Sequence, residues 1–278
     1  MTGLPTEPYR MTAAEAAALI AERQLSAEEL TASCLARIAE RNEAVKAWAF
    51  LDPECALLKA RELDKTLIHH GAKGPLHGLP FGIKDMIDTG DMPTTNNSPI
   101  YQGHRPAQDA QIVRNIVATG GFALGKTDTV EFASGGRKAL TRHPMDPTRT
   151  PGGSSSGSGA AVGDFQVPLA LGTQTGGSHI RPASFNGIYA LKPTHGTVPW
   201  PGARQFAQTL DTIGWYGRSP DDLILVAQAY RVAGIGALPA LPAEGLRIGV
   251  ARTHNWDKAA PEPHAGIERA AALLADAG

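Results

Sequence analysis

The residues best suited to chemistry are two serines, Ser154 and Ser178, each directly preceded by a Gly-Gly pair. A short apolar run, residues 167–171, lies between them. Glycine lets backbone N–H groups turn toward one point and lets a ligand approach closely. A serine at the end of such a turn can be a nucleophile whose own loop supplies the oxyanion donors. A flexible Gly/Ser linker would explain residues 152–159 alone, but not the apolar run and the second Gly-Gly-Ser.

Five segments resemble, in the expected order, the motifs of the amidase signature family, serine hydrolases that cleave amide bonds with a Ser–Ser–Lys triad. The likeness is strongest in residues 150–182, which contain both Gly-Gly-Ser sites. The other segments are 78–85 (Gly-Leu-Pro-Phe-Gly-Ile-Lys-Asp), 125–133 (Gly-Lys-Thr-Asp-Thr-Val-Glu-Phe-Ala), 190–196 (Ala-Leu-Lys-Pro-Thr-His-Gly) and 210–214 (Leu-Asp-Thr-Ile-Gly). The resemblance runs from about residue 10 to the C-terminus, and several ordered motifs are far more specific than one short pattern.

The resemblance implies that Lys84, Ser154 and Ser178 form the triad. A lone lysine at the end of an apolar strand is usually solvated. A lysine buried among hydroxyl groups is instead disfavoured as a cation, so its pKa falls and it can act as a neutral base. Lys84 would take a proton from Ser154, the bridging serine, which follows a cis peptide bond in the family. Ser154 would take one from Ser178, the nucleophile, and water would later hydrolyse the acyl-enzyme.

Further residues around the triad follow from the same resemblance. Ser155 would support the network by hydrogen bonding, or would be an ordinary turn hydroxyl. The oxyanion hole would consist of backbone N–H groups, whose dipoles match charge that appears only in the transition state. These are the N–H groups of Thr175, Gly176, Gly177 and Ser178.

The chain departs from the commonest family pattern at two positions. Gln174 stands where many members carry an aspartate, and Arg181 lies three residues after the nucleophile rather than two. We expect Gln174 and Arg181 to hydrogen-bond and brace the loop as a neutral–charged pair. A substrate inferred from the aspartate-bearing branch therefore does not carry over.

Two short patterns point to other chemistry. Residues 120–127 match the P-loop pattern G-x-x-x-x-G-K-[ST], with Lys126 as its lysine, which would make the chain a nucleotide binder. A P-loop needs a strand before its first glycine and a helix after its lysine, whereas here a helix precedes and residues 122–124 are strand-like. Residues 153–157 match G-x-S-x-G with Ser155 as nucleophile, but no strand leads into them. The sequence supports both alternatives less well than it supports the triad.

Bulk composition excludes several classes of protein. The 278 residues carry a net charge of −1, with 26 basic and 27 acidic side chains, so nucleic-acid or membrane-surface binding has no electrostatic footprint. No apolar run approaches the roughly 18 residues of a membrane span.

The first residues lack an apolar signal core, so we expect a cytoplasmic protein. The two cysteines do not make a disulfide framework. The nine histidines show no H-x-x-x-H spacing, and we expect neither a metal nor a cofactor; His179 either lines the pocket or points away from it.

Hydrophobic periodicity and capping residues predict the elements that position these side chains. Capping-box patterns at residues 12–15 and 26–29 predict helices over 13–23 and 27–43. Further helices are predicted over 53–70, 109–118, 221–232 and 263–275, and strands over 47–51, 80–83, 122–124, 167–171, 188–191 and 247–250. Strands that alternate with helices indicate an α/β fold, a mixed β-sheet core covered by α-helices on both faces.

These observations lead to one main hypothesis. Residues 1–70 would form an N-terminal helical region packed on an amidase signature core, residues 71–278. Family members are usually longer, so we expect a C-terminally truncated fold. The chain would be an amidase that acts on a carboxamide or related C–N bond of a small molecule. A homo-oligomer is compatible with this hypothesis. The alternatives are a glutamine-dependent amidotransferase subunit that supplies ammonia to a partner, a non-catalytic remnant, or the P-loop nucleotide binder.

Overall fold

The computed structural model describes residues 7–232 and 245–277. The strands in this part of the chain are β1 (Trp48–Leu51), β2 (Pro80–Lys84), β3 (Phe122–Thr127), β4 (Leu169–Gln174), β5 (Tyr189–Leu191) and β6 (Thr212–Gly217). The α-helices are α1 (Ala13–Ala21), α2 (Ala27–Val45), α3 (Pro53–His70), α4 (Gln111–Ala118), α5 (Ser156–Gly163), α6 (Ile180–Asn186), α7 (Pro220–Ala229) and α8 (Pro261–Asp276).

All six strands form one mixed sheet in the order β1-β3-β2-β4-β6-β5. Strand β2 pairs in parallel with β3 and β4, whereas β1 is antiparallel to β3 and β6 is antiparallel to β4 and β5. Strands β2, β3 and β6 are buried along their whole length, as strands are when helices cover a sheet. The structure thus confirms the predicted α/β class with a mixed sheet.

The first helices begin where the capping boxes predict. Thr12 Oγ1 accepts from the Glu15 backbone at 3.2 Å, while the Glu15 carboxylate accepts from the Thr12 backbone at 2.8 Å. Ser26 and Glu29 form the same reciprocal pair at the start of α2. Each box satisfies two backbone N–H groups that the first turn of a helix leaves free. The Asp64 carboxylate of α3 accepts from the first two N–H groups of α2, those of Ala27 and Glu28, so α2 and α3 are fixed to each other.

Helix α5 uses the Gly/Ser-rich segment for close packing on the sheet. A Cβ atom at Gly157 would overlap the Ala47 carbonyl oxygen and the Asp128 backbone nitrogen, so only glycine fits there. Ser158 Oγ donates to the Leu171 carbonyl at 2.8 Å and lies 2.6 Å from Thr127 Oγ1. The second half of the segment is therefore a buried helix rather than a linker, and it covers the centre of the sheet.

The chain divides into two compact units, Met1–Ala233 and Gly234–Gly278. The second unit contains α8, which confirms the helix predicted over 263–275, and a Trp256 ring stacked on His264 at a centroid distance of 4.4 Å. The strand predicted over 247–250 is wrong, because this segment has no ladder partner among the described residues and its apolar side chains are exposed. A separate N-terminal region that ends at residue 70 stays a prediction. No described helix is long and apolar enough to cross a membrane.

Candidate active site

Lys84 is the last residue of β2 and lies in the centre of the sheet, fully buried. Its Nζ lies 2.8 Å from Ser154 Oγ and 2.7 Å from Thr173 Oγ1. Burial lowers the pKa of Lys84 to about 7, and the negative charge of Asp211 acts in the opposite direction. A hydroxyl can donate or accept a hydrogen bond, so this environment accommodates a neutral amine. Lys84 is therefore equipped to take a proton from Ser154.

Ser154 follows a cis peptide bond from Gly153. The carbonyl oxygen of Ser154 accepts from the Val130 backbone at 3.1 Å and from Thr129 Oγ1 at 3.0 Å. The carbonyl oxygen of Gly153 accepts from the Arg181 guanidinium, with the Nε contact at 2.9 Å. Both carbonyls around the cis bond are thus held by donors from other segments, and the Ser154 hydroxyl is aimed at Lys84.

Ser155 ties the two serine loops to strand β4. Its buried Oγ lies 3.2 Å from both the backbone nitrogen and the carbonyl oxygen of Thr173. Its backbone N–H donates to the Ser178 carbonyl at 3.2 Å. A hydroxyl that is fully buried and engaged with the backbone has no access to a substrate, so this geometry argues against Ser155 as the nucleophile.

Ser178 lies at the end of a loop that faces open space. Cβ positions at Gly176 and Gly177 have no atom within 4 Å. In residues 7–232 and 245–277, none of the backbone N–H groups of residues 175–178 donates to another backbone group. Ser178 is half-buried. The hydrogen bonds within residues 7–232 and 245–277 do not include its hydroxyl, and the Ser154 hydroxyl is bound by Lys84 instead. The loop thus offers free donors beside a free hydroxyl, while the hydrogen bond from Ser178 to Ser154 is not formed.

Gln174 and Arg181 brace this loop separately. Gln174 Oε1 accepts from the backbone N–H groups of His179 at 3.0 Å and Ile180 at 2.9 Å, which caps the start of α6. Arg181 instead contacts the Gly153 carbonyl. No hydrogen bond joins Gln174 to Arg181 in the described chain, so the expectation that they form a pair is wrong. The physical reason is that each finds other backbone partners, Gln174 at the start of α6 and Arg181 at the Gly153 carbonyl.

Two residues that the sequence reasoning missed complete the site. Thr173 contacts Lys84 because β4 continues to Gln174, three residues beyond the predicted end of the strand. Asp211, which is 6% exposed, accepts from Thr175 Oγ1 and from the Phe206 backbone at 2.6 Å. The only signal for Asp211 was its place in the 210–214 motif.

His179 points away from the site into the core. Its ring is fully buried, packs on Tyr216 at a centroid distance of 4.0 Å, and places Nε2 3.1 Å from the Trp215 carbonyl. Burial lowers the pKa of His179 to about 3. The imidazole is therefore neutral and serves packing, although His179 follows Ser178 directly in the sequence.

Lys126 is not presented to a phosphate. It lies within β3, fully buried, with Nζ 2.7 Å from the Ile87 carbonyl oxygen and 3.6 Å from Asp85 Oδ1. Helix α4 precedes this strand, as the sequence predicts, whereas a P-loop requires a strand there. Among the described residues, no group of three or more His, Cys, Asp or Glu side chains could hold a metal ion.

Comparisons with known proteins identify the family. Residues 29–278 match the family model described as Amidase. A glutamyl-tRNA(Gln) amidotransferase subunit of Acidothermus cellulolyticus is 40% identical over 97% of this chain and 57% of its own length. The peptide amidase of Stenotrophomonas maltophilia is 31% identical with a TM-score of 0.80, over 97% of this chain and 61% of its own. Fatty acid amide hydrolase, at 22% identity and a TM-score of 0.86 over 99% of this chain and 53% of its own, shares the fold.

This chain spans less than two thirds of the length of each of these proteins. The family model nevertheless covers the sheet, the lysine and both serine loops. The chain belongs to the amidase family, whose members carry the amidase signature.

Proposed function

We propose that this chain hydrolyses a carboxamide or related C–N bond through an acyl-enzyme on Ser178. One observation carries the proposal: the buried Lys84 amine lies 2.8 Å from the Ser154 hydroxyl, and its pKa is lowered to about 7. A lysine with this pKa is substantially neutral near pH 7, which is what a general base requires.

The first step forms the acyl-enzyme. Lys84 Nζ takes the Ser154 proton as Ser154 Oγ takes the Ser178 proton, and Ser178 Oγ attacks the amide carbonyl carbon. The carbonyl oxygen becomes an oxyanion that accepts from the free N–H groups of residues 175–178. The proton returns from Lys84 through Ser154 to the amide nitrogen, the C–N bond breaks, and ammonia or an amine leaves.

The second step uses the same relay for water. Lys84 and Ser154 take a proton from a water molecule, whose oxygen attacks the acyl carbon. The C–O bond to Ser178 then breaks, Ser178 regains its proton, and a carboxylic acid leaves. The Ser178 and Ser154 hydroxyls do not form a hydrogen bond in this structure. That is compatible with the scheme, because catalytic hydrogen bonds are often long in the absence of substrate.

The alternative is one subunit of an amidotransferase, which would use the same chemistry on glutamine and pass the ammonia to a partner. It is favoured by the 40% identity to a protein named as a glutamyl-tRNA(Gln) amidotransferase subunit. Turnover of a panel of small amides that includes glutamine separates the two functions. Broad turnover without a partner supports the amidase, whereas turnover confined to glutamine and raised by a partner protein supports the amidotransferase.

A homo-oligomer in the cytoplasm is a further part of the proposal. It is supported by exposed apolar side chains on α6 and β5, where Phe185 is 46% and Tyr189 49% exposed. Strand β5 is also the last strand of the described sheet, and sheet edges tend to associate. Size-exclusion chromatography with light scattering tests this point, and a monodisperse monomer would contradict it.

The direct test of the function is covalent capture of the nucleophile. A fluorophosphonate probe followed by peptide mapping should label Ser178 in the wild-type chain, and Ser178→Ala should not be labelled or turn over amides. Ser155→Ala is the matched control and should still be labelled at Ser178. Label on Ser155 would support the G-x-S-x-G interpretation instead, and a folded chain that takes no label would support the non-catalytic remnant.

A further inference from the structure

Asp211 connects the loop that carries the oxyanion donors to a second loop. It directly precedes β6 and is 6% exposed. One carboxylate oxygen accepts from Thr175 Oγ1, and the other accepts from the backbone of Phe206 at 2.6 Å and of Ala207 at 2.7 Å. A buried carboxylate with three donors fixes the position of each segment that supplies one. The first residue of the oxyanion loop is therefore anchored by this carboxylate.

Asp211 and Lys84 lie on the same face of β4. Gln174 pairs with Thr212, Lys84 contacts Thr173, and Asp211 contacts Thr175; alternate residues such as 173 and 175 point to one face of a strand. The negative charge of Asp211 favours the Lys84 ammonium, whereas burial keeps the neighbouring His179 neutral. Asp85 and Lys126 lie nearby but belong to the other face of the sheet. Lys84 pairs with Thr127 while Ile83 pairs with Lys126, and neighbouring residues of a strand point to opposite faces. Asp85 in turn contacts Lys126.

We propose that Asp211 is a positioning residue that anchors the oxyanion loop through Thr175 and directs a negative charge toward the Lys84 ammonium. This inference rests on the proposed function, because it assigns Asp211 a role in the same acyl transfer. Lys84 becomes an ammonium when it receives the proton from Ser154. A negative charge close to a buried ammonium offsets part of the cost of its burial, so Asp211 favours the protonated form of the relay.

The two roles predict different changes in one experiment. The rate at which the fluorophosphonate probe labels Ser178 is measured from about pH 5 to about pH 9, a range that brackets the titration of a lysine with a lowered pKa. The rate should rise with pH to a plateau, because only neutral Lys84 accepts a proton. The midpoint reports the charge near Lys84, and the plateau reports the position of the oxyanion loop.

Asp211→Asn should lower both quantities. A nearby opposite charge moves a pKa by about 1–3 units, so its loss should move the midpoint down by about 1 unit. The plateau should fall by about 10-fold or more, because a hydrogen bond to a charged group is worth one or two powers of ten. Thr175→Val removes the anchor but keeps the charge, so the plateau should fall while the midpoint stays.

Asp164→Asn is the matched control. Asp164 is 4% exposed and accepts from Arg37 and Arg41 at 3.2 Å, so it is a buried acid of another cluster. This variant should lower the melting temperature and leave the midpoint and the plateau, measured on folded protein, as in the wild type. A purely structural Asp211 would behave in the same way, and that result would overturn the inference.

Other outcomes are equally decisive. An Asp211→Asn midpoint that stays or rises contradicts the charge, and a wild-type plateau in Thr175→Val contradicts the anchor. If Asp211→Asn does not fold, Asp211→Glu keeps the charge on a longer arm. It should then keep the midpoint and lower the plateau, and a full plateau would contradict the anchor. A folded wild-type chain that takes no label would overturn the proposed function itself.

Discussion

Two buried lysines lie near the C-terminal ends of neighbouring strands of the same sheet, and only one has the surroundings of a base. Lys84 closes β2 and Lys126 is the penultimate residue of β3, and both are fully buried. Lys84 contacts two hydroxyl groups, those of Ser154 and Thr173. Lys126 contacts the Ile87 carbonyl at 2.7 Å and Thr94 Oγ1 at 2.5 Å, with the Asp85 carboxylate at 3.6 Å.

The difference shows that the partners of a buried lysine, rather than its burial, decide its role. Burial lowers the pKa of Lys84 to about 7 and that of Lys126 to about 8. The Ile87 carbonyl and the Asp85 carboxylate can only accept, so these two partners of Lys126 favour an ammonium with its protons in place. A hydroxyl can reverse its role, so the partners of Lys84 tolerate its neutral form. The environment of Lys126 suits a structural cation, and that of Lys84 suits a group that takes up and releases protons.

The largest expected effect is that of Lys84→Met. The loss of a general base costs about 10²–10⁴-fold in rate, and members of one relay act as a unit, so amide turnover and Ser178 labelling should fall at least that far. The fold should persist, because Met fills a similar volume and needs no hydrogen bond. Circular dichroism and probe labelling test this. Near wild-type labelling in a folded Lys84→Met variant would show that Lys84 is not the base, so the two lysines would no longer differ in role.

Lys126→Met should destabilise the fold and leave the labelling of Ser178 largely intact. It leaves the Asp85 carboxylate, which is 1% exposed, without its cation. Breaking a buried ion pair costs about 3–5 kcal/mol of stability. The free energy of unfolding in urea should fall by about that amount, while labelling of Ser178 per folded molecule changes far less than in Lys84→Met. A stable Lys126→Met with no labelling would make Lys126 the functional lysine.

A more gradual effect is expected in the pH dependence of stability. The ordinary pKa of lysine is 10.5, and in the folded chain it is about 7 at Lys84 and about 8 at Lys126. Between these values and 10.5 the unfolded state binds more protons than the folded state, so stability should rise with pH. Each lysine contributes up to about 1.4 kcal/mol per pH unit. Urea titrations at several pH values should show the rise from about pH 7, and it should be shallower in Lys84→Met and in Lys126→Met.

The smallest expected effect is none at all. ATP or GTP with Mg²⁺ should leave the melting temperature unchanged, because the Lys126 ammonium is buried and occupied. A ligand at 100 times its Kd would stabilise the protein by ~2.7 kcal/mol, which a thermal-shift assay detects. A shift that Lys126→Met abolishes would restore the P-loop interpretation.

Local signals in the sequence predicted much of this fold. Capping residues placed the starts of α1 and α2, because a cap depends on residues three apart. The ordered motifs pointed to Lys84 and Ser154, which the fold brings into contact. The 247–250 segment has the alternating pattern of a strand but lacks a partner in the described chain. Strand formation depends on a distant partner, which a local pattern does not contain.

The parts of the site that the sequence did not predict all depend on tertiary contacts. Thr173 matters because β4 extends past its apolar residues beside β2. Asp211 matters because Thr175, 36 residues earlier, reaches its carboxylate. Gln174 and Arg181 were expected to hydrogen-bond because the family pattern has an aspartate and an arginine near these positions, yet each binds backbone groups elsewhere. Side-chain partners across loops are set by the packed fold, so residue types and spacing alone do not specify them.

The most direct test of the central claim is the protonation of Lys84 itself. Heteronuclear NMR of chain labelled with isotope at the lysine side chains, assigned with Lys84→Met and Lys126→Met, follows each lysine through a pH titration. We predict that Lys84 titrates near pH 7, as its environment indicates, and that its midpoint falls further in Asp211→Asn. A Lys84 signal that titrates near the ordinary value of 10.5 would contradict the neutral-lysine base.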